Sequence, residues 1–296
     1  MQTPFRKIVI FGVGLIGGSF ALALRKANAV GEVVGFGRRE SALREALRLG
    51  VIDRIGQSEA EEVRDADLVL LATPVGQMAE IMRRIAPHLG ESTLLTDAGS
   101  TKSDVVAAAC ENLGVALSRF VPAHPIAGAE KSGAAAALAD LYQGRKVVLT
   151  PLSENVPSAV ARVRTAWEVC GATVSELTAE QHDRVFAAVS HLPHLLSFAL
   201  VHDIAQKSER DLLLSFAAGG FRDFTRIAAS SPEMWRDICL ANREALLQEL
   251  DSYRAELESL RVALASADAE KLEAIFAVAR EVRCRWQAAD ASGKEK

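Results

Sequence analysis

The sequence predicts an α/β chain, a doubly wound parallel sheet followed by an all-α part. Three observations carry this. A short apolar strand, Lys7–Phe11, breaks into Gly12-Val13-Gly14-Leu15-Ile16-Gly17-Gly18 and runs on into an apolar helical pattern through Phe20, Leu22, Ala23 and Leu24. Short apolar runs then alternate with helical patterns to about residue 155, the mark of a parallel sheet covered on both faces. Beyond Thr178 strand signals vanish and apolar residues recur at helical spacing.

The glycine run is G-x-G-x-x-G, with the strand before it and the helix after it that a dinucleotide-binding turn requires. Gly12 permits the tight turn, Gly14 lets backbone approach a pyrophosphate, and Gly17 lets helix and strand pack closely. The phosphates would meet the free N–H groups at the helix start, around Leu15 and Ile16. Residues 1–155 therefore read as a Rossmann-type domain. Its second strand, Val33–Phe36, ends where an acid normally grips the ribose 2′-hydroxyl of NAD. This chain has Gly37-Arg38-Arg39 there. No carboxylate repels a 2′-phosphate, and guanidinium forks suit phosphate oxygens, so NADP is the preferred cofactor, with NAD possible. The alternative is that both arginines merely begin a solvated helix beside Glu40 and Arg44.

The remaining strands are Leu68–Ala72, Thr93–Thr96, Phe120–Pro122 and Lys146–Thr150, separated by helices such as Ser41–Leu49, Val75–Leu89 and Ser103–Asn112. Ligands of an open parallel sheet bind beyond the carboxyl ends of its strands. Thr73-Pro74, Asp97 with Ser100 to Lys102, and Ala123 to Glu130 should converge there, at the nicotinamide end of the cofactor. Thr73-Pro74 has the alternative of a simple turn, and Ser100 or Thr101 that of a helix N-cap. His124 is held extended by Pro125 and stands near Gly128. An imidazole there, with an ordinary pKa of ~6.5, is a candidate base for an alcohol proton as hydride leaves.

Residues 156–289 read as a helical domain: Pro157–Cys170, a brief extended piece at Thr173–Glu176, then Ala179–Lys207, Arg210–Ala217, Pro232–Ala265 and Ala269–Ala288. Residues 290–296 read as a frayed tail. Leu240, Leu246, Leu247, Leu250, Tyr253, Leu257, Leu260 and Leu264 form a long stripe, which predicts packing against long helices of this chain or of a partner. His191 and His194 share a helix face with Pro193 as a kink between them, and site and core remain equal readings of that pair. Metal binding is disfavoured, because the spacing is not i,i+4 and no carboxylate follows the first histidine. Gly219-Gly220 opens a short helix carrying Arg222 and Arg226 at i,i+4, a carboxylate-binding arrangement whose alternative is a surface turn.

The chain of 296 residues has room for two cores. Charged residues at 24% and apolar residues at 49% are an ordinary globular balance, and the net charge of −4 argues against nucleic acid as a partner. Four scattered cysteines imply neither a disulfide framework nor a zinc site. The N-terminus enters the first strand directly and no uninterrupted apolar run approaches ~18–20 residues, so the expectation is a soluble, cytoplasmic protein without membrane contact.

Taken together, Gly12–Gly18, Asp97–Lys102, His124–Glu130 with Lys131-Ser132-Gly133, Ser190–His194, Gly219–Arg226 and Pro232–Asp237 resemble the prephenate/arogenate dehydrogenase family of tyrosine biosynthesis, in its monofunctional form. The resemblance implies homodimerisation through the helical domain and an active site between the domains. It implies that His124 takes the proton of the substrate's ring hydroxyl and that Ser100 shares that contact. It implies that Arg226 holds a substrate carboxylate, with Arg222, His194, Glu130 and Trp235 lining the pocket. Hydride would leave a cyclohexadienol ring, and loss of the ring carboxylate as CO2 would aromatise it, so no metal is needed as an electron sink. Prephenate is the expected substrate, with arogenate or both as the alternative. The rivals are a Rossmann dehydrogenase of β-hydroxy acids or imines, and an NADP(H)-sensing regulator without catalysis.

Overall fold

The computed structural model describes residues 5–128 and 133–293. The chain opens with β1 (Phe5–Phe11), α1 (Leu15–Lys26), β2 (Val30–Phe36), α2 (Glu40–Arg48), β3 (Arg54–Ile55), α3 (Glu59–Arg64), β4 (Leu68–Leu71), α4 (Met78–Ile85), β5 (Leu94–Asp97), α5 (Ser103–Asn112) and β6 (Phe120–Val121). These six strands form one parallel sheet in the order β3-β2-β1-β4-β5-β6. The order reverses at β1 and β4, where the connecting segments part and leave a crevice at the carboxyl edge.

Side chains alternate between two cores, as the period of a strand demands. Ile8, Ile10, Leu68 and Leu70 pack with Phe20, Leu24 and Trp167 on one face. Val9, Phe11, Val69 and Leu71 pack with Met78, Ile81 and Val105 on the other. Each such side chain contributes roughly 1.5–3 kcal/mol, against about 0–1 kcal/mol for an exposed ion pair. The two-sided core holds the frame.

The two glycines that the turn requires are accounted for by geometry. Gly12 has φ +97°, and a Cβ there would stand 2.4 Å from the Ala72 carbonyl oxygen. A Cβ on Gly17 would stand 2.3 Å from the Gly12 carbonyl oxygen.

Lys146–Thr150 departs from the expected single sheet. The parallel ladder ends at Val121, because Pro122 has no N–H to offer it. The chain turns into β7 (Ala123–Pro125), which pairs antiparallel with β8 (Lys146–Leu149). After α6 (Pro157–Val169), β9 (Thr173–Glu176) joins β8 in parallel to complete a second, three-stranded sheet.

The helices that follow are α7 (Ala179–Phe186), α8 (Leu192–Ala205), α9 (Arg210–Ser215), α10 (Gly219–Thr225) and α11 (Pro232–Ala241). A wide π-helical turn, Ala187–His191, joins α7 to α8. It ends at His191, and Pro193 follows in the first turn of α8. Ala179–Ala205 is thereby continuous and, by length and composition alone, apolar enough to cross a membrane, which a count of uninterrupted apolar residues had not revealed. A core helix meets the same criterion.

The chain forms two compact units, Met1–Arg243 and Glu244–Lys296. The second unit is built from α12 (Arg243–Ala265) and α13 (Ala269–Gly293). The single helix expected over Pro232–Ala265 is broken at Asn242, whose buried side chain is hydrogen-bonded elsewhere. Leu247, Tyr253, Leu257 and Leu264 on α12 are exposed, as are Phe276, Val278, Val282 and Trp286 on α13. The expected tail at 290–296 is helical as far as Gly293.

Candidate active site

Two cavities of the first unit hold the candidate residues. The first, about 440 Å³, opens at the β1/β4 crevice against Gly12, Gly37, Arg38, Thr73, Gly76 and Gln77. Gly14 leads into α1 with no protein atom within 4 Å of where a Cβ would stand, and no side chain caps that helix. The Thr73 hydroxyl is buried without a hydrogen-bond partner among the described residues. A turn stripped of side chains, an uncapped helix start and an orphaned hydroxyl fit a dinucleotide pyrophosphate. Leu15 and Ile16 stand half-buried at that helix start, and the Ile16 carbonyl is anchored by the Tyr142 hydroxyl at 2.7 Å. Pro74 leads into a 3₁₀ turn at Val75–Gln77, where a longer helix was expected.

Arg38 is exposed and meets Glu233 of α11 at 3.1 Å, while Arg39 is an exposed N-cap of α2. Asp97 does not reach this crevice. Its carboxylate is buried between Lys102 Nζ, the Gly99 N–H and the Ala123 N–H, so it clamps the end of β5 to β7. Both of its oxygens are thus engaged within the protein.

The second cavity, about 450 Å³, is lined by His124 to Gly128, by Phe186, Val189, Ser190 and His194, and by residues from Arg226 to Trp235. His124 sits on β7 and is half-buried. Its Nδ1 lies 2.8 Å from His182 Nε2, and His182 Nδ1 lies 2.9 Å from Asp183 Oδ1. The Asp183 oxygens accept the Lys102 and Ser103 N–H groups, each at 2.8 Å, at the start of α5. The cap of α5 is thus supplied by α7, and neither Ser100 nor Thr101 caps it.

Charge fixes the protons along this line. Burial alone would raise the Asp183 pKa, but hydrogen bonds from His182, Ser103 and Lys102 outweigh it and hold the group at about 2. An ionised Asp183 accepts from His182 Nδ1–H, so neutral His182 presents a lone pair at Nε2. That lone pair accepts from His124 Nδ1–H, which leaves the His124 lone pair on Nε2. Burial, followed by the positive fields of His182, Lys102 and His191, pushes the His124 pKa well below its ordinary value.

The pair His191/His194 divides its roles. His191 is buried, its Nδ1 accepting from Asn242 at 3.0 Å and the ring bonded to the Ser100 backbone; burial first of all lowers its pKa to about 4. His194 lines the cavity and stacks on Trp235 with ring centroids 3.7 Å apart. Its Nδ1 donates to the Ser190 carbonyl at 2.8 Å, making Nε2 the acceptor. Trp235 is buried with its Nε1 unpaired among the described residues.

Arg226 borders the cavity, at the point where α10 gives way to a 3₁₀ turn at Arg226–Ala229, and Arg222 is not part of the lining. Ser100 lies beside His191 and is not part of the lining. Glu130 falls outside the described residues.

His182, Asp183 and Asn242 escaped the sequence reading. The one available signal was an adjacent His-Asp pair in the first turns of a helix. Among the described residues no group of three or more His, Cys, Asp or Glu is placed to hold a metal.

A parallel sheet with a glycine-turn crevice, beside a cavity carrying an oriented imidazole, defines a nicotinamide-dinucleotide oxidoreductase. "Prephenate dehydrogenase, nucleotide-binding domain" matches residues 20–176 and "Prephenate dehydrogenase, dimerization domain" matches 178–278, so the chain belongs to the prephenate dehydrogenase family. It is 39% identical to the prephenate dehydrogenase of Bacillus subtilis, over 93% of this chain and 75% of that one. It is 37% identical to the cyclohexadienyl dehydrogenase of Zymomonas mobilis, over 95% and 96%. A crystal structure of prephenate dehydrogenase from A. aeolicus, in complex with hydroxyphenyl propionate and NAD+, superposes with a TM-score of 0.86 at 36% identity, over 96% of this chain and 98% of that one.

Proposed function

We propose that this chain catalyses the NADP-dependent oxidative decarboxylation of prephenate to 4-hydroxyphenylpyruvate. The hydrogen-bonded line His124–His182–Asp183, ending in the cavity beside His194, Trp235 and Arg226, carries the proposal. A bound nicotinamide supplies the hydride acceptor. Gly12, Gly14, Gly17 and the α1 start would hold its pyrophosphate, the Thr73 hydroxyl a ribose or phosphate oxygen, and Arg38 the 2′-phosphate. His124 Nε2 takes the proton of the substrate's ring hydroxyl. The imidazolium that forms shares its charge through His182 with Asp183, which the start of α5 keeps ionised. Arg226 faces a substrate carboxylate, and the stacked His194 and Trp235 shape the wall against the ring.

The match to the family's dimerization domain and the apolar residues exposed on α12 and α13 support a homodimer, which light scattering tests. The Z. mobilis relative named cyclohexadienyl dehydrogenase favours a second reading, in which arogenate is accepted as well. A steady-state assay crossing prephenate and arogenate with NADP+ and NAD+, read as reduced nicotinamide, tests both. Turnover of prephenate is expected, and its absence with either cofactor overturns the proposal.

A further inference from the structure

The acid missing after β2 has a counterpart elsewhere in the chain. Glu233 stands in the first turn of α11, where a helix favours negative charge. Both its oxygens face the Arg38 guanidinium, at 3.1 and 3.4 Å. Arg38 lowers the Glu233 pKa, so the pair is charged at neutral pH. Four residues on, the Asp237 carboxylate lies against Gly76, 3.2 Å from where a Cβ would stand. Arg38 and Gly76 both line the cofactor crevice. One face of α11 thus brings two carboxylates to the crevice rim, while Met234 and Trp235 of the same helix line the other cavity.

We infer that Glu233 is a specificity-determining residue that competes with the cofactor's 2′-phosphate for Arg38. The inference rests on the reading of Arg38 as the phosphate ligand. A dinucleotide carrying the phosphate must take the guanidinium from Glu233 and meet that carboxylate's repulsion. A dinucleotide without it leaves the pair intact. Glu233 therefore restrains the preference that the bare Gly37 permits, so the discrimination is set by two segments 195 residues apart in the chain.

Calorimetric titration of the full-length protein with 2′,5′-ADP, NADP+ and NAD+ tests this without turnover. Glu233→Gln should tighten 2′,5′-ADP and NADP+ by roughly two- to fivefold, the range open to an exposed ion pair. NAD+ should bind as before. In an Arg38→Ala background the gain should shrink, since the contested group is gone. Unchanged 2′,5′-ADP affinity in Glu233→Gln, or an equal gain for NAD+, overturns the inference. If Arg38→Ala weakens 2′,5′-ADP while Glu233→Gln changes nothing, only the competition is wrong. If Arg38→Ala leaves 2′,5′-ADP binding untouched, the phosphate role of Arg38 falls with it.

Discussion

The cofactor crevice is shaped by backbone: a positive φ at Gly12, an uncapped α1 and a carbonyl close against both Gly12 and Gly17. The cavity beside His124 is shaped by side chains drawn from β7, α7, α8 and α11 and from the turn at Arg226. The two differ in how they fail. A backbone site is lost when a Cβ intrudes, whereas a side-chain site loses one chemical function at a time. Substitutions in the second region should therefore leave the fold and dinucleotide binding intact, while those in the first should alter binding without touching proton transfer.

The largest effect should follow His124→Asn. General base catalysis contributes roughly 10²–10⁴-fold, so kcat should fall by that factor with NADP+ affinity unchanged in a binding titration. A variant retaining half its turnover removes His124 from the chemistry. In the unaltered enzyme the acid limb of kcat should lie below pH 6.5, because His124 is held neutral by burial and by neighbouring positive charge. This shifts the sequence-based expectation of titration near neutrality.

Next comes stability. His191 is buried with its pKa lowered to about 4, so it contributes stability that is complete above the unfolded pKa and lost as pH falls through 4. That separation is worth roughly 3 kcal/mol, by linkage at about 1.4 kcal/mol per unit. Urea unfolding between pH 7 and pH 4 should show a loss of this order, and a flat profile would contradict the burial of His191.

Arg226→Ala should act on KM. Arg226 is exposed at the cavity edge, so the loss should be that of one charged hydrogen bond, about 1.5–3 kcal/mol. An increase in KM below twofold would place Arg226 outside the substrate's reach. The smallest effect concerns the crevice. kcat/KM should favour NADP over NAD about tenfold, or ~1.4 kcal/mol, and Gly37→Asp with Arg38→Ala should reverse that order. The new side chain has room, since a Cβ at Gly37 meets Leu43 at 3.5 Å, an ordinary contact.

The same contrast explains what the sequence disclosed. The glycine turn, the flanking strand and helix and the strand-end residue His124 were legible because each is a local pattern. The two-residue β3 was not, since it exists only by pairing with Val34 and Gly35. Lys146–Leu149 was legible as a strand, but its sheet depended on Pro122 ending the parallel ladder. His182 and Asp183 read as ordinary polar residues of a helix, because their meaning comes from His124, 58 positions away, and from the start of α5. Asp97 was read by position alone, and only its three buried partners show that it is a clamp.

The start of α7 works as a ruler. β9 ends at Glu176, Leu177 is the one residue between, and Thr178 and Gln181 cap each other's backbone at 3.1 Å to fix where the helix begins. His182 and Asp183 then follow within the next turn. A single residue inserted between Thr178 and His182 would rotate both by about 100° around the axis, at 3.6 residues per turn. Asp183 would leave the start of α5 and the base would lose its fixed tautomer. Length variation is thus forbidden in this stretch even where its side chains are exposed, a constraint that composition or burial alone would never reveal.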